Sequence, residues 1–157
     1  MPLRMTVPSE GPAWWRLCPM DMDQWRERYE RLLMLVAAEI VGDAADVAVE
    51  PPGGRFQACV RFTSRSLPER TAVIKMHDEW MAAVFVMEPS IGIAMIDDYS
   101  VDDDEAKAYT TDRMRELVTV VDAYVRGEGS IQSRRTLLGR WRHRLLIRAG
   151  GREWLAR

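Results

Sequence analysis

Cysteine, histidine and lysine each occur only twice in 157 residues, as Cys18 and Cys59, His77 and His143, and Lys75 and Lys107. Two cysteines far apart in the chain make no disulfide framework, and no Cys/His spacing suits zinc. Two histidines leave little for acid/base or nucleophile chemistry. His77 is followed by Asp78, but neighbours on a strand point to opposite faces, so that carboxylate is badly placed to orient the ring. Glycine-rich phosphate loops, Gly-x-Ser-x-Gly, His-Glu-x-x-His and Cys-x-x-Cys are all missing. A protein without catalytic residues, cofactor or metal is the expectation.

Long apolar runs are missing too. The longest, Trp80 to Met87, ends at Glu88-Pro89, well short of the roughly 20 residues a membrane span requires. The first nineteen residues contain Pro2, Pro8, Pro12, Pro19 and Glu10, which breaks up any secretory apolar centre. They read as a flexible leader, residues 1–19, before a single domain over residues 20–157. A cytoplasmic location and no membrane contact are expected.

What the chain has is charge, unevenly placed. From Arg126 onward there are nine arginines against Glu128 and Glu153, a net +7; the first 125 residues hold 13 basic and 22 acidic side chains, a net −9. The near-neutral total of −2 conceals this polarity.

Periodicity predicts the elements. Trp25, Tyr29, Leu32, Leu33, Val36 and Ile40 form one helical stripe that ends at Gly42, and Met114, Leu117, Val118, Val121, Tyr124 and Val125 form a second that ends at Gly127. Between them lie five strand-like segments, in residues 46–50, 55–63, 71–76, 80–87 and 91–96, separated by turn residues. Beyond Gly129, residues 130–148 read as a hairpin turned at Gly139, and Gly150-Gly151 introduces a last short strand. The predicted fold is α+β: a single antiparallel sheet of about five strands packed by two helices, with a C-terminal arginine-rich β-hairpin.

Two charge clusters are candidate sites. The segment from Ile96 to Glu105, IDDYSVDDDE, holds six carboxylates in nine residues. Calcium-loop registers starting at Asp97 or Asp98 fail, because Tyr99 and Val101, or Asp103 and Tyr109, occupy positions that require oxygen ligands, glycine or glutamate. Carboxylates at a helix N-terminus each contribute about 0.3 to 1 kcal/mol, which accounts for Asp102, Asp103, Asp104 and Glu105 but leaves Asp97, Asp98 and Tyr99 unexplained. These residues, with Gly53 and Gly54 of the Pro-Pro-Gly-Gly turn, are the expected contacts for a protein partner. The arginines Arg140, Arg142 and Arg144 are the alternative, a stripe that suits nucleic-acid phosphates, although a net charge of −2 disfavours that ligand.

The order helix, meander, helix, hairpin, the segment Val49-Glu-Pro-Pro-Gly-Gly-Arg-Phe56 and the ending Gly151-Arg-Glu-Trp-Leu155 resemble the small cytoplasmic immunity proteins that bacteria encode beside secreted toxins. Within that group the chain is also similar to antitoxins of the tuberculosis necrotizing toxin class. The resemblance implies a single α+β domain, no active site, and a cognate toxin as the partner, neutralised by occlusion of its catalytic cleft. No inhibitory residue is carried over from it. An adaptor or chaperone for a secretion substrate is a further alternative, which would use an apolar groove.

Overall fold

The structure, a computed structural model, describes residues 22–51, 58–77, 80–86, 91–96 and 104–157. Helix α1 (Met22–Ile40) leads through a 3-10 turn (Gly42–Ala44) into strands β1 (Ala45–Glu50), β2 (Ala58–Ser64), β3 (Thr71–Met76), β4 (Trp80–Val86) and β5 (Ile91–Ile96). Helix α2 (Asp104–Val125) and strands β6 (Ser130–Arg135), β7 (Trp141–Ala149) and β8 (Arg152–Ala156) complete the chain. The fold is α+β with two helices and two antiparallel sheets, ordered β1-β2-β3-β4-β5 and β6-β7-β8.

The expectation of a single sheet is therefore corrected. The tight reversal at Gly150-Gly151 lays β8 along β7, so the arginine-rich hairpin gains a third strand and becomes a sheet of its own. Helix α2 explains why two sheets form. It packs on β2, β3 and β4 of the first sheet and on β7 of the second, so it needs apolar residues on more than one narrow stripe. Met114, Leu117, Val118, Val120, Val121, Tyr124 and Val125 are all buried. One apolar cluster runs from Leu33, Val36 and Ala37 of α1 through α2 to Leu145, Ile147 and Ala156 of the second sheet.

Within the first sheet, the residues facing the helices alternate in size across the strands. Phe62, Ala72 and Phe85 are cross-strand neighbours, as are Val60, Ile74 and Ala83. A large side chain beside a small one lets each row interdigitate with the helices without a void. The opposite face tapers outward along β4: Ala82 is buried, Val84 half-buried and Val86 exposed. The apolar run of β4 is thus covered on both faces over only part of its length.

The end of α2 is tied to the loop after β2, and the end of α1 to the residue that follows α2. Helix α2 has no basic residue in its last turn, and the cation comes from elsewhere: Arg70 donates from Nη1 to the carbonyl of Tyr124 at 2.9 Å and also to that of Glu128. A guanidinium on the last carbonyls satisfies orphan acceptors and opposes the negative end of the helix dipole. Arg126 does the same for α1, donating to the Val41 carbonyl at 3.2 Å. Ser64, buried, donates to the Val125 carbonyl at 2.5 Å and accepts from the Leu67 amide at 3.1 Å. Ser64→Ala leaves both backbone groups without that partner and is expected to lower stability by about 1 to 3 kcal/mol. A reduced urea midpoint with an unchanged slope checks this.

Burial pushes the phenols of Tyr124 and Tyr29 above the usual tyrosine value, while Arg70 beside the first and Arg28 beside the second pull the other way. A raised pKa means that the fold favours the neutral phenol and the unfolded chain ionises first. Their stabilising contribution is therefore whole below about pH 10 and is lost as pH rises through the elevated folded values. Denaturant titrations at increasing alkaline pH should show the decline, and Tyr124→Phe should reduce it.

Candidate interaction site

The described residues offer little in the way of a reaction centre. No group of three or more His, Cys, Asp or Glu side chains comes together among them to hold a metal ion. The thiol of Cys59 is buried. An open depression of about 440 Å³ at the β7–β8 turn is lined by Arg148, Ala149, Gly150, Gly151, Arg152 and Glu153. Its two guanidiniums are engaged, Arg148 with Glu153 at 3.5 Å and Arg152 with Glu116 at 3.8 Å. No described helix is long and apolar enough to cross a membrane.

The hairpin β6–β7 stands out instead. Between Glu128 and Glu153 there are seven arginines and no acidic residue. Its turn closes through the Gly139 amide on the Thr136 carbonyl at 2.9 Å and the Thr136 amide on the Arg140 carbonyl at 2.7 Å, with the Arg140 amide donating to Thr136 Oγ1 at 3.1 Å. Gly139 takes φ 75, the left-handed position that such turns assign to glycine. At the other end Gly129, φ 110, lets the chain enter β6 against the core, where an added Cβ would lie 3.3 Å from Leu145 Cδ1.

Register shows that this ribbon overhangs its sheet. The β7–β8 ladder ends at Leu145↔Ala156, whereas β6 and β7 go on pairing from Gln132↔Arg144 to Arg135↔Trp141. Four further rungs at about 3.4 Å each carry the two strands and their turn about 14 Å past the third strand. Every residue of β6 is exposed. On the face continuous with the core, Leu145 and Ile147 are buried, but their outer neighbours Ile131 and Trp141 are 57% and 62% exposed. At the tip Leu137 is 108% and Leu138 88% exposed. Ser133 Oγ and His143 Nδ1 share a 2.8 Å hydrogen bond between the two apolar positions.

The other face is cationic. Cross-strand neighbours share a face, so Arg134 lies directly opposite Arg142, and Gln132 opposite Arg144. None of Arg134, Arg140, Arg142 and Arg144 holds a carboxylate among the described residues, whereas Arg61 pairs with Glu50, Arg65 with Asp46, Arg115 with Glu39 and Arg126 with Asp122. Like charges directly opposite on a ribbon are destabilising. This pair is therefore not explained by the stability of the hairpin.

The residues singled out from the sequence divide as follows. Arg142 and Arg144 do share a face; Arg140 precedes β7, and its backbone belongs to the turn. Asp97, Asp98, Tyr99, Asp102, Asp103, Gly53 and Gly54 lie outside the described residues, and Asp104 is the first residue of α2. Sequence reasoning missed Ile131, Leu137 and Leu138. The signal available was the apolar pair Leu137-Leu138 at a turn, where polar residues are usual. No family model, curated protein or solved structure matches the chain.

Proposed function

We propose that this chain is a binding protein of the inhibitor kind, which neutralises one partner protein by inserting the β6–β7 hairpin into an acidic cleft of that partner. A toxin with its catalytic cleft occluded is the form of partner that the sequence resemblance implies. One observation carries the reading: a two-stranded ribbon overhangs its sheet with unburied apolar side chains on one face and, on the other, opposed arginines that hold no carboxylate among the described residues. Isolated two-stranded ribbons are marginally stable in water, and this one adds charge repulsion and exposed leucines. Its composition makes sense as a contact surface, because burying a leucine or isoleucine fully is worth about 1.5 to 3 kcal/mol, and Trp and Arg are the residues that most often dominate binding energy.

The reading inverts the charge roles expected from the acidic stretch, since the described surface is cationic and calls for an acidic partner. The test has two stages. A protein captured from the native cell by the wild-type chain should arrest growth when expressed alone, and co-expression with this chain should restore growth. A captured protein that is harmless by itself would sink the neutralising role. A second reading, nucleic-acid binding, is favoured by Arg134, Arg142 and Arg144, but leaves Leu137, Leu138 and Ile131 without a use. It requires retention of DNA or RNA on filters at low salt.

A further inference from the structure

We infer that the partner contributes an extended acidic segment that adds to the outer edge of β6 as a fourth strand of the second sheet; this rests on the partner-binding reading above. Strand β6 pairs with β7 alone and stands at the edge of its sheet. Among the described residues, no backbone hydrogen bond reaches the other side of Ser130–Arg135. Edge strands are normally blunted by proline, a bulge, shortness or a covering element. Strand β6 has no proline, keeps six consecutive pairs with β7 without a bulge, and is exposed along its whole length. Among the described residues, its protection is charge alone.

That protection is selective. A second copy of the chain meeting this edge would bring another cluster formed by Arg134, Arg142 and Arg144 against the first, so self-pairing is opposed. An acidic strand converts the same arginines into attraction. Side chains on an added strand alternate between faces, so the partner's segment should place carboxylates on the side of Arg134 and Gln132, and on the side of Ile131 and Trp141 apolar residues, with a carboxylate only at the end where Arg135 lies opposite Trp141. The backbone ladder supplies affinity and the two faces supply selection.

The test uses the full-length, isotope-labelled chain and a short capped peptide alternating Glu and Val, with three comparators: a Lys-Val peptide, the Glu-Val peptide N-methylated through its centre, and an oligothymidylate. Strand addition predicts that the Glu-Val peptide binds at low salt, that alternate amides of Ser130–Arg135 exchange about tenfold more slowly, that N-methylation weakens binding about tenfold or more, and that the Lys-Val peptide does not bind. N-methylation spares the protein, so a folding defect cannot produce the result. Binding that tolerates N-methylation and leaves the β6 amides unchanged overturns strand addition while leaving the hairpin as the partner's site. Failure of the acidic peptide overturns the inference, and if the oligothymidylate then binds, the acidic-protein reading falls with it.

Discussion

Phe85→Ala is expected to lower the stability of the chain by about 3 to 5 kcal/mol, a large share of the roughly 5 to 15 kcal/mol that holds a domain together. Phe85 is fully buried on β4, and its ring meets that of Tyr124 edge-on, with centroids 4.7 Å apart and planes at 67°. The contact joins the first sheet to α2, whose last carbonyls depend on Arg70, whose guanidinium also lies 4.9 Å from the Tyr124 ring centroid. Removing the ring opens a cavity at the junction that carries the second sheet, and small neighbours such as Ala72 cannot fill it. Val86→Ala, one residue along but 39% exposed, should cost less than about 1 kcal/mol. Urea unfolding of both variants checks the contrast. Equal losses would mean that β4 does not bury the face described.

Arg134→Glu should move stability and binding in opposite directions. In the fold it replaces two opposed cations, Arg134 and Arg142, with an opposite-charge pair on an exposed ribbon, a gain of about 0.2 to 1 kcal/mol. At the proposed interface it places a carboxylate where the proposed acidic partner would dock, so binding should weaken by at least about tenfold, or 1.4 kcal/mol. Unfolding midpoints and partner affinity measured on the same protein settle the point. A surface conserving only its own stability would gain on the first and lose nothing on the second. Salt supplies an independent check, because attraction between exposed charges is screened with a Debye length of about 8 Å at physiological ionic strength.

Much of the fold was legible because it is local. The two helices announce themselves through stripes at helical spacing, and Gly42, at φ 53, and Gly127, at φ 106, stop them as their positions suggest. The division into two sheets was not legible. Strands β7 and β8 look like any other strands, and what separates them from the first sheet is how α2 lies between the two, a long-range matter. The site was half legible. Alternation placed Arg142 and Arg144 on one face, but it also put Trp141 with Leu145 and Ile147 as though all three were packed. Only the register, with β8 ending opposite Leu145, shows that Trp141 lies beyond the core, while Ile131, level with Leu145, is exposed on the edge strand. An apolar residue in a sequence pattern does not say whether its own chain or another covers it.

Whether the overhanging hairpin is where the proposed partner binds is decided by hydrogen exchange on the chain with and without its captured partner. Slowed exchange is expected across residues 130–144, fading as salt is raised and reduced in Arg134→Glu. Protection confined to the helices or to β1, with the hairpin exchanging as fast as in the free chain, would contradict it.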